Sequence, residues 1–150
     1  IFQPTVNSYR RFAPGTFAPP GLTWGYENRT TCFRLVGHDA GSLRVENRLP
    51  GADTNPYLTT AATLAAGVAG ILNQIEPEPE VIGSGYAQEP ARDFARSMPE
   101  AIDRLRGSDF ARDWLGARFV DGFTATREAQ HDEFRRKVPD VELQRFFDLG

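Results

Sequence analysis

Cysteine is almost missing from these 150 residues: Cys32 stands alone, so no internal disulfide can form and nothing signals an oxidising compartment. Lysine is just as scarce. Of 17 basic residues only Lys137 is a lysine and the remaining sixteen are arginines, so no G-x-x-x-x-G-K-[ST] phosphate loop exists. His38 and His131 are the only histidines, and with one cysteine they make no zinc-ligand spacing. Ser8 and Ser42 lack any nucleophile-elbow or triad setting. The net charge of −3 and pI near 5.4 provide no positive field for nucleic acid or an anionic membrane. No apolar run approaches the ~20 residues that span a bilayer. The most apolar stretch, 58–72, is broken by Thr59, Thr60, Thr63, Gly67 and Gly70. With no secretory leader visible, a cytoplasmic address is the default expectation. What is there is 40% hydrophobic and 25% charged, the composition of a soluble domain with a modest core. The opening at Ile1, without methionine or a capping signal, is expected of a piece of a longer protein.

Pro14, Gly15, Pro19, Pro20 and Gly21 make residues 7–21 a shaped loop after at most a short helix. Three strands are predicted next. Leu22, Trp24 and Tyr26 alternate with small or polar residues, and Thr31 to Val36 alternates again around Arg34. From Leu43 to Leu49 the pattern is sharpest: Leu43, Val45 and Leu49 share one face, Arg44, Glu46 and Arg48 the other. The Gly-rich connection from Gly37 to Ser42 suits an antiparallel hairpin, which would place Arg34 on the charged face. Leu43 and Val45 are then expected to turn into the core.

From Asn55 the period becomes helical. Asn55 can cap, Pro56 fits the first turn, and Leu58, Ala61, Ala65, Val68, Leu72 and Ile75 form an apolar stripe. The alanines with Gly67 and Gly70 suggest close packing, and Pro77 and Pro79 end the helix. After a long loop over 76–96, Ser97 and Glu100 form a capping box for a helix to about Arg106. Ser108 caps a short helix with Phe110 and Trp114, and a long one runs from about Phe119 to Lys137 with Phe123 and Phe134 in its stripe. Asp140 opens a last helix carrying Phe146 and Phe147. Strands precede helices, so the class is α+β, an antiparallel sheet followed by a helical C-terminal region.

Glu46 between Arg44 and Arg48 is the one constellation with chemistry. Alone, R-x-E-x-R reads first as a solvated ion-pair ladder. Arginine forks also bind carboxylates and phosphates, and a carboxylate among them can hold magnesium. Magnesium sites use several carboxylates or substrate phosphates, so one glutamate does not make such a site alone.

Four segments in register resemble the glutamine synthetase family. Asn7-Ser8-Tyr9-Arg10-Arg11-Phe12-Ala13-Pro14-Gly15 resembles N-S-Y-[KR]-R-[LF]-x-P-G, and Asn28-Arg29 with Arg34 resembles N-R-[ST]-x-x-x-R. Arg44-Val45-Glu46-Asn47-Arg48 resembles R-[IV]-E-x-R, and Asn55-Pro56-Tyr57-Leu58 resembles N-P-Y-L. Order and spacing agree across residues 4–75, so residues 1–150 are expected to be the C-terminal portion of such a catalytic domain. The resemblance implies that Arg11 and Arg48 hold the glutamate substrate and that Arg29 serves the transferring phosphoryl group. It implies nucleotide-phosphate contacts for Arg34 and Arg44, and a divalent metal (Mg²⁺ or Mn²⁺) on Glu46, with ATP as cosubstrate. The other metal carboxylates lie upstream in that family. It also implies a homo-oligomer of stacked rings.

Two departures stand out. The family loop continues P-G-x-E-A-P, its glutamate taking a proton from bound ammonium, whereas Pro14-Gly15-Thr16-Phe17-Ala18-Pro19 puts Phe17 there. An organic amine or polyamine is therefore the expected acceptor, with ammonia the alternative and a non-catalytic family member a third possibility. Tyr86, set in Gly85-Tyr86-Ala87-Gln88 and not N-L-Y-D-L-P, is read as a plain loop tyrosine without adenylylation.

Overall fold

The computed structural model describes residues 1–13, 15–88 and 93–149. Pro14 of the loop motif and residues 89–92 of the long loop lie outside the described residues. Three short strands, β1 (Trp24–Tyr26), β2 (Phe33–Val36) and β3 (Arg44–Asn47), form one sheet in that order. Five helices follow: α1 (Pro56–Leu72), α2 (Met98–Arg106), α3 (Asp109–Leu115), α4 (Ala117–Arg135) and α5 (Asp140–Phe146). The class is α+β, as expected.

β2 and β3 are antiparallel, with Arg34 opposite Glu46 and Leu35 opposite Val45. The hairpin forms because Gly37 turns at φ 117°, where a Cβ would meet the Ser42 carbonyl carbon and oxygen at 2.5 Å. Asp39 Oδ1 accepts from the amides of Gly41 and Ser42, both at 2.9 Å, and closes the turn. β1, however, runs parallel to β2, Trp24 beside Phe33 and Tyr26 beside Leu35. The intervening loop makes this possible. Glu27 sits at φ 47°, and Asn28 donates to the carbonyls of Val81 (3.0 Å) and Gly83 (2.8 Å), which folds the chain back within six residues.

Leu43 and Val45 are not in the core. They are 55% and 63% exposed at β3, which is an edge strand; α1 meets that face further along, where Asn47 donates to Thr63 at 3.1 Å. Alternation reveals which residues share a face, not what lies against it. The core sits at the strand ends: Cys32, Leu49 and Phe94 are buried among Phe2, Phe12, Leu22 and Phe33, and the rings of Phe12 and Phe94 lie 4.4 Å apart. Burial pushes the Cys32 thiol up to about 12, against the lowering effect of Arg48 and Arg11, so it is a small apolar filler.

The helix caps follow the sequence. Asn55 accepts from the amides of Tyr57 and Leu58, Ser97 from Glu100 and Ser108 from Ala111. The capping-box return bond from Glu100 reaches the Arg96 amide at 2.9 Å, one residue before the cap. The stripe assigned to α1 is not packed: Val68 and Leu72 stand exposed, as does Ile75 beyond the helix end, and a Cβ on Gly67 or Gly70 would touch nothing within 4 Å. Ala69 is the buried residue of α1, and α1 touches α3. The helix also stops at Leu72, before the prolines, where Gln74 takes φ 52°. α2 and α3 pack on α4 around Ile102, Ala111 and the fully buried Val120. Burying Ile102 or Val120 contributes about 1.5–3 kcal/mol each. Ion pairs Arg106–Glu128 (2.8 Å) and Arg112–Asp121 (2.9 Å) flank that seam. Phe134, Phe146 and Phe147 remain exposed.

Candidate functional site

The hairpin register places Arg34 and Glu46 directly opposite one another, on the same face as Arg44. Arg34 Nη1 donates to Glu46 Oε2 at 3.2 Å, and Arg48 Nε lies 3.6 Å from Glu46 Oε1. Both guanidinium groups are largely shielded, 16% exposed, while the carboxylate between them is 46% exposed. Glu46 therefore presents an open edge of oxygen flanked by two fixed cations. The expected charged face exists, and it is a ladder with one unforeseen rung.

That rung is Glu27. Its Oε2 accepts from Arg34 Nη2, and its Oε1 accepts from the Gly37 amide at 3.4 Å. The Arg34 guanidinium, helped by the Gly37 amide, holds the Glu27 carboxyl below the usual glutamate range against a smaller opposing effect of burial. Glu27 lies in a loop, outside any period, so sequence pattern offered no signal for it. Arg34 Nε is buried and has no hydrogen-bond partner among the described residues.

The other expected site residues divide. Arg48 Nη1 also binds the carbonyls of Arg29 and Thr31 (3.1 Å to the latter), tying the end of β3 to the loop before β2. Arg29 itself is exposed, and its guanidinium makes no hydrogen bond or ion pair with a described residue. Arg44 donates to the Ser42 carbonyl at 3.2 Å and, among the described residues, does not join the ladder. Arg11 is spent largely on structure: it donates to the carbonyls of Leu49 (2.8 Å), Pro50 (2.7 Å) and Arg48 (2.8 Å). Burial, with the neighbouring Arg48 charge, lowers its pKa, and its fork of five N–H groups keeps some donors free.

Phe17 projects outward at 84% exposure. Thr16 anchors its loop by donating to the Arg11 carbonyl at 2.5 Å and the Ala13 carbonyl at 2.9 Å, while Ala18 and Pro19 are buried. The ring is held out by a fastened base. Tyr86, in a short 3-10 turn over Gly85–Ala87, is exposed at the surface.

Magnesium prefers hard oxygen donors and retains waters, so a half-open carboxylate such as Glu46 fits it as one ligand. No group of three His, Cys, Asp or Glu residues that could hold a metal exists among the described residues. Further ligands would have to be phosphates, waters or other residues. No helix among the described residues is long and apolar enough to cross a membrane.

The geometry can be set beside known proteins. The model of the glutamine synthetase catalytic domain matches residues 1–146. Gamma-glutamylethanolamide synthetase GlnA4 of Streptomyces coelicolor is 41% identical over 149 residues, covering 99% of this chain and 32% of that protein. Type-1 glutamine synthetase 2 of Dictyostelium discoideum is 36% identical over 153 residues, covering 99% of the chain and 29% of its own length. A solved structure described as "Apo GmaS without ligand" superposes with a TM-score of 0.82 at 30% identity, over 99% of the chain and 34% of that one. The chain spans about a third of the length of these relatives.

Proposed function

The chain belongs to the glutamine synthetase family, and from that premise we propose that it is the C-terminal portion of the catalytic domain of an ATP-dependent glutamate–amine ligase. The observation that carries this reading is the open Glu46 carboxylate clamped between Arg34 and Arg48.

Phosphorylating a γ-carboxylate gathers negative charge in one place, and fixed arginines are suited to stabilise it. A γ-carboxylate oxygen attacks the terminal phosphorus of ATP, and ADP leaves with the bridging electron pair. The amine nitrogen then attacks the acyl carbon, the C–O bond to phosphate breaks, and the nitrogen sheds a proton. In this scheme Arg48 and the free donors of Arg11 bind glutamate carboxylate. Arg34 and Arg44 take the nucleotide phosphates, and the Arg29 guanidinium, bound to no described residue, meets the transferring phosphoryl group. Glu46 holds a divalent ion together with oxygens from outside these residues. A bound Mg²⁺ or Mn²⁺ would draw charge from the phosphate oxygens. We assign the whole protein to the cytoplasm by default, and to a ring-shaped homo-oligomer in line with the resemblance.

The acceptor is an organic amine. Phe17 offers no carboxylate to hold ammonium or take its proton. Its exposed ring offers apolar surface, worth about 0.8 kcal/mol per buried CH₂ of an alkyl or polyamine chain. The name of the 41%-identical relative contains the amide of such an amine, gamma-glutamylethanolamide. The second reading, ammonia as acceptor, is favoured by the 36%-identical relative named a glutamine synthetase.

The test is phosphate release by the intact protein with ATP, Mg²⁺ and glutamate. Ammonium is compared with ethanolamine, simple alkylamines, putrescine and spermidine. A higher kcat/KM for one organic amine is expected. The highest value with ammonium would reject the organic-amine reading.

A further inference from the structure

We propose that Glu27 is the positioning residue of the nucleotide arginine: its carboxylate holds Arg34 in place on the strand face and keeps its fork from pairing bidentately with Glu46. The inference rests on the ligase reading of Arg34 and Glu46 given above.

Three observations converge on it. The first is the sharing of the Arg34 fork. Nη2 goes to Glu27, Nη1 to Glu46 at 3.2 Å, and Nε remains buried without a hydrogen-bond partner among the described residues. Without Glu27, Glu46 would be the one carboxylate on Arg34, and a bidentate arginine–carboxylate pair would consume the oxygens that a metal needs. With Glu27 present, Arg34 divides its fork between two carboxylates and gives Glu46 only Nη1, so Glu46 keeps an open edge.

The second is the backbone. Glu27 occupies φ 47°, a left-handed conformation that glycine or asparagine adopts more readily. A glutamate in that conformation points to a use for its side chain. The third is rigidity. The Glu27 amide donates to the Leu35 carbonyl at 2.8 Å, its Oε1 accepts from Gly37, and the adjacent Asn28 is pinned to the carbonyls of Val81 and Gly83. The Glu27 main chain is thus tied to β2 at Leu35 and its carboxylate to Gly37 just past the strand, both on the C-terminal side of the Arg34 it holds. An arginine fork delivers its directional bonds only when its plane is fixed.

Calorimetric binding of a non-hydrolysable ATP analogue with Mg²⁺ to the intact protein tests this, beside steady-state kinetics. Glu27→Gln removes the charge and keeps the size. It is expected to weaken analogue binding about tenfold, the lower end of the loss when a supporting partner of a ligand-binding group is removed. KM for ATP should rise with it while kcat changes less than threefold, and Glu27→Asp should recover part of the loss. Glu27→Gly relieves the backbone and removes the carboxylate, so it should keep the melting temperature and still lose analogue affinity. A purely structural role would move the melting temperature and not the affinity. Arg34→Ala should weaken binding, and the double variant Arg34→Ala with Glu27→Gln should be no weaker than Arg34→Ala alone. If Arg34→Ala weakens binding and Glu27→Gln stays within twofold of the parent, the positioning role is wrong and the ligase reading of Arg34 survives. If Arg34→Ala leaves binding unchanged, the nucleotide role of Arg34 fails, and that of Glu27 with it.

Discussion

Replacing Glu46 by glutamine separates the two meanings of the charged face. The change keeps shape and removes one charge. Arg34 would retain Glu27, and Arg48 would retain the carbonyls of Arg29 and Thr31. The pairs lost are Arg34–Glu46 at 3.2 Å and Arg48–Glu46 at 3.6 Å, on a carboxylate 46% exposed. Pairs of that exposure contribute about 0.2–1 kcal/mol each after solvent screening, so losing both should cost folding about 0.4–2 kcal/mol. A group acting directly on transition-state charge is worth on the order of 10²–10³ in rate, or about 2.7–4 kcal/mol. The two accounts therefore differ in which quantity moves. Urea denaturation of the intact protein gives the first, and phosphate release at saturating ATP gives the second. We expect Glu46→Gln to unfold near the parent midpoint, to turn over on the order of 10²-fold more slowly, and to need more Mg²⁺ for half-activation. A variant with turnover within twofold of the parent and a stability loss above about 2 kcal/mol would show the face to be an ion-pair ladder and no more.

Arg29→Ala in the intact protein should lower turnover by on the order of 10²–10³ with an unchanged melting curve, since its guanidinium is bound to no described residue; normal turnover would make it a surface arginine. Gly37→Ala should destabilise the hairpin by about 1–3 kcal/mol, because φ 117° and a 2.5 Å approach to Ser42 leave no room for a methyl group; thermal denaturation reads this, and an unchanged midpoint would contradict it. The depressed folded-state pKa of Glu27 means that its ion pair stabilises above the unfolded value of about 4.3 and fades as pH falls through the lower folded one. The melting-temperature difference between the parent and Glu27→Gln should therefore be present at pH 6 and vanish in stronger acid, and a difference constant down to pH 2 would refute the pairing.

Local features were readable from the sequence because their causes are local. Asn55, Ser97 and Ser108 cap the helices they precede, since each needs only an amide two or three residues on. Alternation over Leu43–Leu49 identified the face shared by Arg44, Glu46 and Arg48, and the Gly37 turn brought Arg34 to it. What depends on distant chain was not readable. The exposure of Leu43, Val45 and Val68 reflects which surfaces meet, and periodicity carries no record of that. The parallel course of β1 depends on Asn28 reaching residues 81–83, some 53 to 55 positions away. Arg11 looked like a ligand by motif, yet three of its bonds go to the Leu49, Pro50 and Arg48 carbonyls. Phe17 differs again: its identity was plain, and only the Thr16 anchor explains why it projects.

The central claim is that glutamate is activated by phosphorylation before an amine takes the acyl group, and oxygen isotope transfer tests it most directly. The intact protein is supplied with ATP, Mg²⁺, the best amine and glutamate carrying ¹⁸O in its γ-carboxylate, and the released phosphate is examined by mass spectrometry. Ligation through γ-glutamyl phosphate moves one carboxylate oxygen into each phosphate, so singly labelled phosphate is expected in step with the γ-glutamyl amide. Phosphate free of label, released whether or not amide forms, would mean that water and not glutamate receives the phosphoryl group, and would contradict the account.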